Sequence, residues 1–216
     1  ALAVDWAVQS SGTANDLDAV WFTSPTQGWA VGDAGTSLFT TDGGATWQSA
    51  ALTGQDLEGV AFADPSLGLI VGDDGLILRT VDGGQSWTPV ASGTAVNLEA
   101  VAFGGGDLAY VAGRDGVLLV SSDAGASWTV AETGTVRYRG LWAEGDRAWA
   151  VGEGGVIRAT QDGGQSWQSQ DSGTGSDLKG VVFVSELEGW ASGQNSTVIH
   201  TDDGGATWAP RSTGIQ

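Results

Sequence analysis

The chain has 216 residues, a formal charge of −18 and no cysteine. A polyanion gains no counterion-release energy from DNA or RNA and is repelled by anionic membrane surfaces, so neither partner is expected. The lack of thiols excludes disulfides and thiolate metal sites, and no apolar run is long enough for membrane insertion.

The N-terminal segment carries two signals. Residues 1–3, Ala-Leu-Ala, look like the small-residue end of a secretory signal, which favours an exported protein, although a cloning remnant would look the same. Part of residues 1–13 resembles residues 86–94, and Trp6 lies 41 residues before Trp47. An extra outer strand is therefore predicted here. It could pair outside a sheet, displace the C-terminal strand or pair with another molecule.

Five copies of one eight-residue phrase follow along the chain, the first being Thr40 to Trp47. Their closing tryptophans are spaced by 40, 41, 39 and 41 residues. A period this regular over the whole length predicts one structural unit repeated in space. The predicted units are residues 14–54, 55–94, 95–135, 136–174 and 175–216, within a single domain of residues 1–216.

The second unit shows how each repeat is expected to fold. Short apolar runs at residues 57–62, 69–72, 76–80 and 86–90 are separated by Gly, Asp and Pro, which predicts four strands and no long helix. Four-stranded antiparallel units of this length are the blades of a β-propeller. The first strand is apolar on both faces, so neighbouring blades must cover both sides. The sequence therefore predicts an all-β fold, a five-bladed β-propeller of four-stranded antiparallel blades.

The repeated phrase predicts a turn between the third and fourth strands. Its aspartate can accept hydrogen bonds from backbone N–H groups of its own turn, and the glycine two residues later favours a positive φ. A calcium site is disfavoured because the alternating acidic ligands of a calcium loop are missing. Neither metal nor cofactor is expected, and these residues are assigned to holding the fold: Asp42, Asp82, Asp123, Asp162, Asp203, Trp47, Trp87, Trp128, Trp167 and Trp208.

This phrase resembles the Asp-box of bacterial neuraminidase-type repeats. Together with Gly-Trp-Ala-Val-Gly at residues 28–32 and Leu78-Arg79-Thr80, it makes residues 4–213 similar to the photosystem II stability and assembly factor family. The resemblance implies a propeller that docks partner subunits through an arginine-rich surface. Arg79 fits the family's Leu-Arg-Thr pattern, and five repeats depart from its usual seven. The matching positions in the other repeats depart from the pattern too: Phe39, Val120, Ala159 and His200.

The candidate site lies on the loops that join the second strand to the third and one blade to the next. Both sets are expected on one face, opposite the Asp-box turns. The first set begins with variable residues, and one blade-joining loop reads Arg137-Tyr138-Arg139. Arginine and tyrosine are favoured at recognition hot spots, and guanidinium groups pair with carboxylates. The predicted binding residues are Arg114, Arg137, Tyr138, Arg139, Asp33, Asp73 and Glu153.

An acidic or C-terminal peptide is the ligand class that these arginines suggest, and surface ion pairs with the abundant aspartates are the alternative. The prediction is a non-catalytic, monomeric scaffold that binds a protein or peptide, with a strand-exchanged oligomer as a second possibility. An engineered or fragment-derived propeller without a ligand is a further alternative.

Catalysis is the other function class, since Asp-box propellers include sialidases and other glycosidases. Tyr110 is expected in the core rather than as a nucleophile, and His200 has no partners for a triad or a metal. Asp33, Asp73 and Glu153 could ring the axis at the separation of a glycosidase carboxylate pair, although nothing in the sequence marks one as an acid of raised pKa. A glycan-binding or glycoside hydrolase-type propeller therefore stays as an alternative.

Overall fold

The computed structural model describes residues 8–212, which form five four-stranded antiparallel sheets. In each sheet the strand order follows the chain. Blade 1 contains β1 Leu17–Phe22, β2 Gly28–Gly32, β3 Thr36–Thr40 and β4 Gln48–Ser49. Blade 2 contains β5 Leu57–Phe62, β6 Gly68–Gly72, β7 Ile77–Thr80 and β8 Thr88–Pro89. Blade 3 contains β9 Leu98–Gly105, β10 Leu108–Gly113, β11 Leu118–Ser121 and β12 Thr129–Glu132; blade 4 contains β13 Tyr138–Glu144, β14 Arg147–Gly152, β15 Ile157–Thr160 and β16 Gln168–Gln170; and blade 5 contains β17 Leu178–Phe183, β18 Gly189–Gly193, β19 Val198–Thr201 and β20 Ala209–Pro210.

These sheets confirm the predicted all-β propeller of five blades. The only helical elements among residues 8–212 are short 3-10 turns at Asp33–Gly35, Asp73–Gly75 and Glu153–Gly155. The extra strand predicted for residues 1–13 falls partly on residues 1–7, which lie outside the described part, and residues 8–13 form no strand.

Each Asp-box turn is closed by the same set of hydrogen bonds. In blade 2, Asp82 Oδ1 accepts from the Ser86 N–H at 2.9 Å and from Thr80 Oγ1 at 2.8 Å, and Oδ2 accepts from Ser86 Oγ at 2.6 Å. Thr80 Oγ1 in turn accepts from the Gly84 N–H at 2.9 Å. Because these donors favour the charged carboxylate, they lower the pKa of Asp82 to about 2. The other four blades repeat the arrangement.

The two ends of every blade are tied by repeated backbone hydrogen bonds. At the Asp-box end, the Gly83 N–H donates to the Ser66 carbonyl at 2.8 Å. At the opposite end, which we call the loop face, the Asp73 N–H donates to the Asp56 carbonyl at 3.0 Å. All five blades have both bonds. The loop between the second and third strands is therefore held against the segment that enters the first strand.

Hydrophobic cores fill the spaces between consecutive blades. Four such clusters join blades 1 and 2, 2 and 3, 3 and 4, and 4 and 5. In the first, Trp29 of β2 stacks on Phe62 of β5, with ring centroids 6.5 Å apart, and Trp87 meets both rings edge-on. In the last, Trp149 stacks on Phe183 at 3.8 Å. Such aromatic pairs add to the free energy that the buried area itself contributes.

A comparable core between blade 5 and blade 1 is missing from residues 8–212. The side chains that would form it are in contact with solvent. Val20 of β1 is 59% exposed, whereas its counterpart Val60 in blade 2 is 6% exposed. The five blades therefore form an open arc, and neither described terminus closes the ring.

Glycines at the ends of the second strands mark the tightest contact in each blade. A Cβ added to Gly72 would overlap the carbonyl oxygen of Asp56, and the same holds for the equivalent glycine in every blade. The backbone at Gly72 is extended, so the restriction is steric and any side chain would push the two segments apart.

We predict that Gly72→Ala lowers the free energy of unfolding by about 1–3 kcal/mol, as overpacking does elsewhere. Gly54→Ala is the matched control, because a Cβ there meets no atom within 4 Å. Urea unfolding followed by tryptophan fluorescence measures both changes. Equal midpoints for the two variants would contradict the steric role of Gly72.

Candidate functional site

A β-bulge interrupts the first strand of every blade at the same place. In blade 2 the pairing register between β5 and β6 shifts between Leu57 and Gly59, so that Glu58 is the extra residue. Bulges re-aim side chains at sheet edges. The equivalent residues lie on the innermost strands near the loop face, and we call them the bulge row: Asp18, Glu58, Glu99, Arg139 and Lys179.

Two further rows of side chains lie beside the bulge row on the loop face. The hydrogen bond between the two ends of each blade brings them together. The loop row begins the loops after the second strands and consists of Asp33, Asp73, Arg114, Glu153 and Gln194. The joint row precedes the first strands and consists of Asp16, Asp56, Asn97, Arg137 and Asp177.

The charges in these rows divide the loop face into two parts. Blades 1 and 2 contribute only carboxylates, namely Asp16, Asp18, Asp33, Asp56, Glu58 and Asp73. No ion pair joins any of these six to a basic side chain in residues 8–212. The same rows in blades 3 to 5 hold Arg114, Arg137, Arg139 and Lys179 beside three acidic residues. One side of the loop face is thus strongly negative and the other is close to neutral.

Glu99 fixes two of the predicted binding arginines. Its Oε1 accepts from Arg114 Nε at 2.8 Å, and its Oε2 accepts from Arg137 Nη2 at 2.6 Å. The Glu99 side chain is only 5% exposed, whereas the Arg114 and Arg137 side chains are 42% and 26% exposed, so a buried carboxylate is held by two partly exposed guanidinium groups. The hydrogen bond and charge of Glu99 raise the pKa of Arg114. Both guanidinium groups are therefore already engaged with Glu99.

The remaining residues of the Arg-Tyr-Arg segment are engaged as well. Arg139 Nη2 donates to Glu153 Oε1 at 2.8 Å. Tyr138 is 4% exposed and belongs to the core between blades 3 and 4. It cannot offer the exposed aromatic contact that the sequence suggested, because the bulge at Arg139 turns Tyr138 toward the blade interface.

Glu58 is the most perturbed carboxylate of the site. Partial burial, together with the charges of Glu99, Asp18 and Asp73, raises its pKa to about 7. No hydrogen bond or ion pair joins its side chain to another residue between 8 and 212. Burial and neighbouring carboxylates also raise the pKa values of Asp18 and Asp73. The charges of Arg137 and Arg114 act in the opposite direction on Glu58 and Asp73, but burial and the neighbouring carboxylates outweigh them and both pKa values stay raised.

The structure brings the predicted binding residues other than Tyr138 onto the loop face, where some of them form ion pairs and others do not. Asp33 and Asp73 lie on the negative side and form no ion pair within residues 8–212, although the charge of Arg114 acts on Asp73, while the three arginines and Glu153 form ion pairs. Glu58 and Glu99 were missed. The signal that could have found them is a charged residue at the same place in each apolar first strand, as in Leu57-Glu58-Gly59-Val60.

Other site types find little support in the described residues. No cluster of three or more His, Asp or Glu side chains in residues 8–212 has the geometry to hold a metal ion. None of the helices between residues 8 and 212 has the length and apolar character needed to span a membrane. Tyr110 is fully buried, and the ring of His200 packs against that of Trp190 at 4.7 Å.

A family model described as photosynthesis system II assembly factor YCF48 matches residues 53–135. The matched segment covers the second and third blades, which include the Asp-box turns at Asp82 and Asp123. No curated protein sequence matches the chain. The chain is thus an Asp-box propeller that resembles the photosystem II assembly factor.

Solved structures agree with this fold. YCF48 bound to D1 peptide is 20% identical, covers 96% of this chain and 85% of that chain, and has a TM-score of 0.57. YCF48 from Cyanidioschyzon merolae is 19% identical over 92% of this chain and 86% of that chain, with a TM-score of 0.52. The GH74 enzyme of Niastella koreensis is 17% identical over 90% of this chain and 38% of that chain, with a TM-score of 0.75. At identities this low, the likeness shows the propeller fold.

We predict that the free energy of unfolding falls as the pH rises from about 4.5 to about 7, since folded Glu58 keeps a proton that the unfolded chain releases. Asp18 and Asp73 act in the same direction. The Asp-box carboxylates act oppositely, and stability is lost as the pH falls from 3.8 toward 2. Stability should therefore be greatest near pH 4.5 to 5.

Urea midpoints between pH 4 and 8 test this for the parent and for Glu58→Gln. The variant should lose part of the decline, on the order of 1 kcal/mol, because solvent screens the partly buried carboxyl. Glu144→Gln, at the exposed end of β13, is the control and should follow the parent. A parent whose stability rises steadily to pH 8 would contradict the assignment.

Proposed function

We propose that this protein is a non-catalytic scaffold that binds a polypeptide segment across its loop face, with a cationic part of the segment on blades 1 and 2. The observation that carries the proposal is the set of six carboxylates there, none of which forms an ion pair with a basic side chain in residues 8–212. Complementary charge is how protein surfaces select and steer partners.

Two further facts support a polypeptide as the ligand. The solved structure of YCF48 bound to D1 peptide has a similar fold, and in that protein the propeller accepts a peptide. In addition, the three rows extend over several blades along the loop face, so the charged surface is longer than a single small-molecule pocket. An extended chain segment, which rises by roughly 3.3 Å per residue, can reach several of these side chains at once.

The charge of the ligand follows from the ion pairs. An acidic peptide that bound Arg114 and Arg137 would have to displace Glu99 and would leave that buried carboxylate without its partners. One that bound Arg139 would have to compete with the exposed carboxylate of Glu153. A lysine, an arginine or an amino terminus on the other side meets carboxylates that form no ion pair within residues 8–212. A cationic ligand would bind more tightly when Glu58 is ionised, and its binding would therefore lower the pKa of Glu58.

A glycosidase is the second candidate, and Glu58 is the observation that favours it. A carboxyl with a pKa of about 7 has the property that a general acid needs, and other carboxylates surround it. The GH74 enzyme of Niastella koreensis shares the fold.

For the binding function, we expect a fluorescent peptide rich in lysine and arginine to bind, and a peptide of the same length rich in glutamate not to bind. Asp33→Asn/Asp73→Asn should weaken binding of the basic peptide about 2- to 30-fold, since exposed charge pairs contribute about 0.2–1 kcal/mol each. Fluorescence anisotropy at two salt concentrations measures this, and added salt should weaken binding.

The matched control is Asp107→Asn/Asp202→Asn, which removes the same charge from the Asp-box end of the propeller. It should bind the basic peptide as the parent does. Equal loss in both double variants would reduce the effect to net charge, and preference for the acidic peptide would overturn the proposal.

Chromogenic glycosides distinguish the second candidate. Turnover by the parent that is abolished in Glu58→Gln would establish the glycosidase. Absence of turnover, together with peptide binding that survives in Glu58→Gln, supports the scaffold.

A further inference from the structure

Blade 3 shows how a member of the bulge row binds cations. Glu99 accepts from Arg114 Nε at 2.8 Å with one carboxylate oxygen and from Arg137 Nη2 at 2.6 Å with the other. Arg114 comes from the loop row of the same blade, and Arg137 comes from the joint row that leads into the next blade. One bulge-row carboxylate is therefore held by two guanidinium groups, which the chain itself supplies.

Blade 2 repeats the backbone of this site with other side chains. Its bulge-row member is Glu58, its loop-row member is Asp73, and the joint-row member of the next blade is Asn97. The Asp73 N–H donates to the Asp56 carbonyl at 3.0 Å, and the Leu76 N–H donates to the Asp73 carbonyl at 3.0 Å. Blade 3 has the same two bonds, at 2.9 and 3.0 Å. The positions correspond, but neither arginine is present in blade 2.

Asn97 does not replace the missing arginine of the joint row. Its Oδ1 accepts from the Asp74 N–H at 3.2 Å, so its side chain is used to bind the loop of blade 2. Two other joint-row residues bind the loop of the preceding blade in the same way. Arg137 instead reaches the bulge row. Glu58 thus receives no cation from either of the two positions that supply Glu99.

Glu58 and Asp73 together are suited to receive a cation from outside the chain. Both side chains are partly exposed, and the charge of Asp73 acts on Glu58. The charges of Asp18 and Glu99 add to the negative potential at Glu58, and that of Arg137 reduces it. Asp73 Oδ1 is buried without a hydrogen-bond partner in residues 8–212, which costs free energy that a donor from a ligand can recover. Blades 1 and 3 pack on the two flanks of blade 2, so this place lies between described blades.

The two carboxylates favour a guanidinium group over an ammonium group. A guanidinium group has five N–H donors in a planar fork, so it can bind Glu58 and Asp73 at the same time. An ammonium group is more strongly hydrated, and a half-buried place removes part of that hydration. In blade 3 the protein uses arginine at both of the corresponding positions.

We propose that an arginine of the bound polypeptide places its guanidinium group between Glu58 and Asp73, at the position that corresponds to Arg114 of blade 3. The inference rests on the proposed function, because this arginine belongs to the cationic part of the segment on blades 1 and 2. The ligand forms in blade 2 the ion pairs that blade 3 forms within the chain. The loop face is therefore selective for arginine over lysine at this place.

Three fluorescent peptides that share a lysine-containing frame and differ at one position test the ligand class. The position holds arginine, lysine or citrulline, which keeps the shape of arginine without its charge. We expect the arginine peptide to bind about 3- to 10-fold more tightly than the lysine peptide, which is the effect of one further hydrogen bond. The citrulline peptide should bind most weakly. Anisotropy is measured at pH 8, where Glu58 is ionised.

The same place can be filled from within the chain. Asp73→Arg gives blade 2 the loop-row residue of blade 3, so the introduced side chain should reach Glu58. The arginine peptide should then bind at least about tenfold more weakly, because two cations cannot share the place, and its advantage over the lysine peptide should disappear. Asp107→Arg changes the charge by the same amount at the Asp-box end and should keep that advantage.

Urea unfolding tests the correspondence of the two blades without a ligand. In the parent, stability falls from about pH 4.5 to about pH 7 because the pKa of folded Glu58 is raised to about 7. A guanidinium group beside Glu58 favours the ionised form, so the fall should be smaller in Asp73→Arg than in Asp107→Arg. Asn97→Arg, which copies the joint-row arginine, should act in the same direction. An unchanged pH dependence in both blade 2 variants would overturn the correspondence.

The outcomes separate this inference from the proposed function. An arginine preference that is lost in Asp73→Arg and kept in Asp107→Arg supports the arginine site. Equal affinity for the arginine and lysine peptides, or an arginine preference that survives in Asp73→Arg, overturns the arginine site and leaves the scaffold function standing. Failure of every basic peptide to bind the parent overturns the proposed function and the arginine site with it.

Discussion

Every blade of this protein is apolar on both flanks, and the rest of the structure depends on covering them. A four-stranded sheet of this size cannot bury both flanks by itself, so stability comes from the next blade. The tryptophan of the second strand, the phenylalanine of the following first strand and the Asp-box tryptophan form the contact, as Trp29, Phe62 and Trp87 show. Residues 8–212 form four such contacts between five blades, and the outer flanks of blade 1 and blade 5 carry exposed side chains such as Val20 and Val182.

The packing also creates the charged surface. The first strands approach one another closely at small residues such as Gly59 and Gly140, and a bulge beside each of them re-aims one charged side chain to the loop face. The carbonyl contacts of Gly72 and its equivalents then fix the loop row against the joint row. A repeated backbone thus sets positions, and variation of the residue at each position sets the charge.

Much of the fold could be predicted from the sequence, because each strand and turn occurs five times and the five copies can be compared. The strands of blade 2 were placed at residues 57–62, 69–72, 76–80 and 86–90, and the structure has them at Leu57–Phe62, Gly68–Gly72, Ile77–Thr80 and Thr88–Pro89. The charged site was predicted less well. The sequence left Arg114 and Arg137 either as recognition residues or as members of surface ion pairs with aspartates, and in the structure both pair with Glu99 on the inner strand. Nothing local to the arginines reveals that contact, since Arg137 and Glu99 are 38 residues apart.

The sequence by itself determined the number of blades, the strand order within them and the Asp-box turns, because those depend on short-range stereochemistry and on alternation along a strand. Only the tertiary structure decided that Tyr138 is buried, that Glu58 has a pKa of about 7 and that the arc stays open. Those properties depend on the distance between residues of different blades and on the angle between blades, which arise when the flanks pack. The period of the sequence predicts how many blades form, but it does not predict the angle between neighbouring blades.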